Sequence, residues 1–202
     1  PFLIDFSNYE DFPIGGYLTF ARNMISSFGN TLALAGITTS RQDPIGKWFK
    51  KTINDVEFDF FAMARYGSTK TKKAVPDRLV NYLLVKHYRK KILGLGINNL
   101  FLQRQESLLA ISDCKRNICY SFAGMDNPLV NSKYSYGSLL ANWFEARFFR
   151  KIGVANVILG RGDDKAIQDM LSRSNGSMAG REVIKFPTRI DTHIFRPLNQ
   201  AE

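Results

Sequence analysis

The chain has 202 residues, 45% of them hydrophobic and 23% charged, and a formal net charge of +10. This composition excludes disorder and fits one large domain or two small ones with a substantial core. No apolar run reaches bilayer-spanning length and the opening residues do not read as a signal peptide, while the positive charge favours polyanions: nucleic acid, anionic membrane, nucleotide diphosphates or phosphorylated lipids.

Short apolar runs alternate with helical patterns. Residues 2–6, beginning Phe2-Leu3-Ile4, read as a first strand. Residues 17–28 read as a helix, with Phe20, Met24 and Phe28 at helical spacing. A second strand spans 31–37, a long loop 40–56 and a third strand 57–64, followed by a loop at 67–75. Pro76 and Asp77 then suit the start of a helix whose stripe is Leu79, Leu83 and Ile92 with Val80 and Leu84, and Gly94 suits its end. Strands follow at 100–102 and 118–123. A helix over 136–152 turns Leu140, Trp143, Phe144 and Phe148 inward. After a strand at 157–159, Asp163 or Asp164 caps a helix that buries Ile167, Met170 and Leu171, and a last strand spans 183–186. This alternation predicts an α/β fold: a three-layer, Rossmann-like domain with a mainly parallel sheet.

Cys114 and Cys119 make neither a disulfide framework nor a zinc pattern, and read as buried or incidental thiols. No metal constellation, phosphate loop of the Gly-x-x-x-x-Gly-Lys type or nucleophile elbow occurs.

In open parallel sheets ligands bind beyond the carboxyl ends of the strands, which selects the loops to examine. After the first strand, Gly15-Gly16 precedes a helix. The pair suits a tight turn, or a phosphate drawn to free N–H groups at a positive helix end. Beyond residues 100–102 lie Arg104 and Glu106. Beyond 118–123 lie Asp126 and Asn127, which either build a turn with Pro128 or contact substrate. Arg161, in Gly160-Arg161-Gly162, suits an anion clamp or a solvated loop charge. Lys47, Lys50 and Lys51 surround Trp48 and Phe49. That mixture suits an anionic membrane contact or single-stranded nucleic acid, or two rings that pin a loop to the core, which is the favoured reading.

The string Phe186-Pro187-Thr188-Arg189-Ile190-Asp191-Thr192-His193-Ile194-Phe195-Arg196-Pro197 resembles the exit from the first domain of two-domain glycosyltransferases of the GT-B fold, especially family 4. Pro13-Ile14-Gly15-Gly16 is similar to that family's first cleft loop. The likeness recurs in Leu34-Ala35-Gly36-Ile37-Thr38, Pro44-Ile45-Gly46-Lys47-Trp48, Phe122-Ala123-Gly124 and Asn127-Pro128. Related enzymes often carry a His beyond one of the central strands; this chain has none there, which leaves Arg104, Glu106, Asp126 and Asn127 as the polar candidates.

The resemblance implies the N-terminal half of a GT-B fold, with residues 1–197 as an acceptor-side domain, 198–202 as the start of a linker, and the donor-binding C-terminal domain outside this sequence. It implies a retaining, hexosyltransferase-like enzyme, inactive as this fragment alone. The enzyme would move a sugar from a nucleotide sugar to a glycan, lipid-linked or other acceptor in cell-surface polysaccharide synthesis. It would need no cofactor and no metal, and would be cytoplasmic or peripheral at the inner membrane face. Gly15, Gly16, Arg104, Glu106, Asp126, Asn127 and Arg161 are the expected substrate contacts, with Arg189 and Asp191 holding the hinge. A basic nucleic-acid-binding module and a nucleotide-dependent oxidoreductase domain are the alternatives; the second lacks the spaced glycine fingerprint.

Overall fold

The computed structural model describes residues 1–10, 16–66, 75–124, 136–161 and 163–186. In chain order these form β1 (Phe2–Ile4), α1 (Gly16–Phe28), β2 (Ala33–Thr38), β3 (Trp48–Ile53), β4 (Val56–Arg65), α2 (Asp77–Leu93), β5 (Asn99–Leu102), α3 (Gln105–Ile111), β6 (Asn117–Phe122), α4 (Gly137–Lys151), β7 (Val157–Gly160), α5 (Asp164–Arg173) and β8 (Glu182–Lys185). The sheet has eight strands in the order β3-β4-β2-β1-β5-β6-β7-β8. Every pairing is parallel except β3 with β4. The predicted α/β class and mainly parallel sheet are therefore present.

Two-residue alternation divides the core. Phe2 and Ile4 point into a layer with Val85 and Ile92 of α2, Leu108 of α3, Phe148 of α4 and Met170 of α5. Leu3 points the other way, against Leu18, Phe20, Ala21, Met24 and Ile25 of α1. The central strands are thus buried on both faces, which explains their unbroken apolar runs. The buried stripes differ in part from those read off the sequence. On α2 it is Asn81, Val85 and Ile92 that are buried, and Leu83 is 53% exposed. Trp143, expected inward, is 36% exposed, and Phe28, at helical spacing with Phe20 and Met24, is 37% exposed. Wide amphipathic faces offer more than one stripe, and the neighbouring helix selects among them. Asp163 is the residue that caps α5, its carboxylate accepting from the Ala166 N–H at 2.7 Å.

The stretch 40–56, expected as a loop, contains β3. Asn54 and Asp55 close a two-residue hairpin between Ile53 and Val56, both with positive φ, 49° and 61°. Asn and Asp tolerate this backbone, and such a turn matches the twist of paired strands. Trp48 packs on Phe2 and Phe61, and its indole N–H donates to the Lys91 carbonyl at 3.0 Å. Phe49 packs on Phe60 from the opposite face. Core pinning, the favoured reading, describes both rings.

Lys51 ties this edge hairpin to the loops beyond β1 and β2. Its ammonium lies 2.5 Å from Asp43 and 2.8 Å from Glu10, and Thr38 also donates to Asp43. Burial disfavours the Asp43 carboxylate, but hydrogen bonds from Lys51 and Thr38 and the charges of Lys51 and Arg65 outweigh it and hold its pKa below the ordinary 3.8. Burial likewise disfavours charged Lys51, yet Asp43 and Glu10 raise its pKa above 10.5. Asp43 therefore stabilises the fold fully above its ordinary value, and this contribution is lost as pH falls through the lowered one. The Lys51 contribution is present below 10.5 and lost as pH rises through the raised value. Lys51→Met is expected to cost about 2 kcal/mol at neutral pH. In urea unfolding the gap from the parent should shrink in acid, once Asp43 is protonated. A gap independent of pH would mean that only packing was lost.

A candidate ligand cleft at the switch point of the sheet

The strand order reverses at β1, which has β2 on one side and β5 on the other. Connections to the two sides diverge there and leave a crevice at the carboxyl ends of the strands. Asp5 follows β1 at the floor of this crevice and is fully buried. Its backbone N–H still donates to Ala35 in β2. Its carboxylate accepts from the Arg104 Nε at 2.6 Å and from the Ser7 hydroxyl. Burial works against the Arg104 cation, but Asp5 outweighs it and raises the pKa above that of free arginine.

Arg104 lies just beyond β5 and immediately before α3. Its guanidinium sits 4.5 Å from the centre of the Tyr17 ring, in the first turn of α1. Gln103, 1% exposed, donates its side-chain N–H to the Tyr17 carbonyl at 2.9 Å. The amide oxygen of Gln103 accepts from no described residue. Glu106 is buried in the first turn of α3 and pairs with Arg78 of α2, which also donates to Gln105 at 2.8 Å. Tyr17, Arg78, Gln103, Arg104, Glu106 and Tyr120 are among the residues lining a cavity of about 60 Å³.

Arg161, at the end of β7, donates its backbone N–H to Phe122 at 2.8 Å and lays its guanidinium over Phe20 at 5.0 Å. Burial lowers the pKa of both Arg161 and Arg78. Tyr120 is buried in β6, and that burial pushes its phenol far above the usual range; the charges of Arg78, Arg161 and Arg104 pull in the opposite direction. The charges of three arginines, one in α2, one beyond β5 and one beyond β7, thus act on this phenol.

Two glycines affect the approach to this floor. The loop after β1 folds over β2, where Ile37 donates to the Ser7 carbonyl at 3.1 Å. A Cβ on Gly36 would lie 2.7 Å from that carbonyl and 2.7 Å from the Tyr9 ring, so this position has room only for glycine. Gly16 is the first residue of α1, where helix N–H groups lack intrahelical partners.

Of the residues expected to touch substrate, Arg104 and Glu106 line this cavity, while Arg161 lies beyond β7 with its guanidinium over Phe20 and is not among the lining residues. Glu106 lines it from within a helix, since Gln105–Ile111 forms α3 rather than a loop. Gly15, Asp126, Asn127, Arg189 and Asp191 lie outside the described residues. Asp5, Ser7, Tyr17, Arg78, Gln103 and Tyr120 were missed. Asp5 carried a signal: a carboxylate inside the apolar run Phe2–Phe6 needs a buried partner. Arg78 carried none, being one cation on a basic helix.

No protein-family model matches the chain, and no curated protein matches it in sequence. Solved structures do. Sucrose-phosphate synthase from Thermosynechococcus elongatus superposes with a TM-score of 0.60 over 98% of this chain and 50% of its own, at 9% identity. The chain has the fold of one GT-B domain. Trehalose-6-phosphate synthase from E. coli, bound with UDP-2-fluoro glucose, matches 85% of this chain and 43% of its own, with a TM-score of 0.44 and 14% identity. The chain thus spans about half the length of these structures or less.

Removing one partner of the buried ion pair should strand the other. Arg104→Met is expected to destabilise the domain by about 3–5 kcal/mol. Combining it with Asp5→Leu should recover part of that loss. Additive costs in a double-mutant cycle by urea unfolding would show that the pair does not couple.

Proposed function

We propose that the chain is the acceptor-side, N-terminal domain of a retaining glycosyltransferase similar to family 4, which moves a sugar from a nucleotide-sugar donor. The observation that carries this reading is the arginine-lined cleft at the switch point of a sheet that superposes on sucrose-phosphate synthase. The hinge-like string at 186–197 supports it. The donor's nucleotide would bind a second α/β domain facing this cleft.

Transfer forms a bond between an acceptor oxygen and the anomeric carbon, and breaks the bond from that carbon to the donor phosphate. The diphosphate leaves with the bonding pair, and the acceptor's proton ends on phosphate or solvent. What the described residues supply is positioning and charge. Arg104 is locked by Asp5 and Tyr17, so its guanidinium needs little reorganisation when a ligand arrives. The first N–H groups of α1 add positive potential at the cleft. Neither Asp5 nor Glu106 serves as a base here, because each carboxylate is buried against an arginine. In this reading the acceptor is part of a cell-surface polysaccharide pathway on the cytoplasmic side.

Residues 1–202 are expected to melt in a single cooperative transition yet release no nucleoside diphosphate from UDP-glucose, whatever acceptor is supplied. Robust turnover by this segment alone would sink the two-domain reading. When joined to a donor-binding domain, Gly16→Val should lower turnover about 100-fold with its melting curve nearly unchanged. Normal kinetics in that variant would reduce the glycine to a simple turn.

A further inference from the structure

We propose that the outer face of α2, α3 and α4, away from the ligand cleft, binds an acidic peptide segment of a partner protein. One apolar side chain of that segment fills a recess beside Trp143, and its carboxylates pair with Arg147, Arg150 and Lys151. This inference is independent of the glycosyltransferase reading.

A cavity of about 270 Å³ opens between these helices. It is lined by Tyr82 of α2, Leu109 and Ser112 at the end of α3, and Trp143, Arg147, Arg150 and Lys151 of α4. Trp143, Arg147 and Arg150 follow at steps of four and three residues, and Lys151 lies four beyond Arg147, so all share one face of the helix. The Trp143 indole meets the Tyr82 ring edge-on at 5.7 Å, and the Arg147 guanidinium lies over the indole at 4.5 Å. A guanidinium stacked in this way still presents its N–H fork to a carboxylate. Leu139, one turn before Trp143, is 72% exposed and extends the apolar contact along α4. The helix starts on the cleft side of the sheet and runs to the beginning of β7, so Arg150 and Lys151 lie at the end far from the cleft.

Charge identifies the occupant. Among the described residues none of the three cations pairs with a carboxylate: Asp113, beside Ser112, is taken by Arg89 at 2.6 Å, and Glu145 of α4 by Arg173 at 2.9 Å. The dipole of α4 favours cations in its last turn, which accounts for Arg150 and Lys151 but not for Arg147 on an exposed indole. A second copy of a chain with net charge +10 would be repelled. Residues 1–202 offer no acidic segment of their own for the recess, because outside the described residues they carry only Asp11, Asp126, Asp191 and Glu202, scattered singly. The volume is at the lower limit of small-molecule pockets and has room for one large side chain. A recess between helices receives a protruding side chain better than a bilayer surface does. Arg147 already covers the ring on which a nucleic-acid base would stack.

The test is fluorescence anisotropy of a labelled synthetic peptide, one phenylalanine flanked by glutamates, titrated with the 202-residue chain. Saturable binding that weakens with added salt is expected. Replacing the glutamates by glutamine, or the phenylalanine by glycine, should each weaken it about tenfold. Arg147→Gln combined with Lys151→Gln should also weaken it about tenfold, whereas Lys165→Gln on α5 should leave it unchanged. If the paired variant fails to fold, quenching of tryptophan fluorescence by the peptide in the unsubstituted chain decides. Trp143→Phe should abolish the quenching, since Trp48 sits on β3 at the other edge of the sheet. No quenching, no saturable binding, equal binding of the glutamine peptide, or unchanged binding by the paired variant overturns the proposal. Binding that survives loss of the phenylalanine reduces the face to a general anion patch and overturns it as well. Phosphatidylserine vesicles and single-stranded polyuridylate are titrated in parallel. Tighter binding of either than of the peptide, through the same two cations, replaces the peptide by that partner.

Discussion

The ion pair between Asp5 and Arg104 is the contact on which the cleft depends. A fully buried carboxylate is tolerated only with a partner and with its remaining lone pairs satisfied. Arg104 and Ser7 satisfy this one, and in doing so join the ends of β1 and β5 where the sheet changes direction. The same guanidinium stacks on Tyr17, and the Tyr17 carbonyl holds Gln103. The first turn of α1, the loop after β1 and the end of β5 are therefore one electrostatic unit.

Around that unit the sheet is secured by different means on its two sides. Toward β4 the hairpin with β3 closes the edge by packing, with Trp48 and Phe49 clamping opposite faces, and Lys51 bridges Asp43 and Glu10. Toward β8 the strands are shorter and more exposed, with Ile184 39% accessible. The close passage of the first loop over Gly36 keeps Ser7 and Tyr9 against β2. The backbone beneath the cleft floor is tied by strand pairing, while Arg78 and Arg104 above it lie over aromatic rings.

A doubly wound sheet makes a crevice but does not say what fills it. Here the filling is distinctive in its charge. Arg78 and Arg104, each paired with a buried carboxylate, line the cavity with the buried phenol of Tyr120, and a buried amide oxygen accepts nothing from the described residues. Two of the chain's arginines, Arg78 and Arg104, lie where a parallel sheet receives ligands, each held by a buried carboxylate.

The amino-acid sequence by itself determined the class of the fold and the placement of most strands. Continuous apolar runs such as Leu32 to Ala35 and Phe60 to Ala64 have no stable home except a strand covered on both faces, and Asp163 marked its helix start through local hydrogen bonding. It also placed Arg104, Glu106 and Arg161 beyond strand ends, which is a property of position along the chain. It did not reveal β3, because Lys50, Lys51 and Thr52 dilute the apolar signal and the pairing that satisfies their backbone comes from β4. Nor did it reveal that Arg78, 26 residues before Arg104 in the numbering of the chain, shares a cleft with Asp5 and Tyr120. Tertiary structure decided that, and decided which stripe of α2 is buried. Charges meet through the crossover of strands in space, and no local pattern of residues encodes the partner that a distant strand end will deliver.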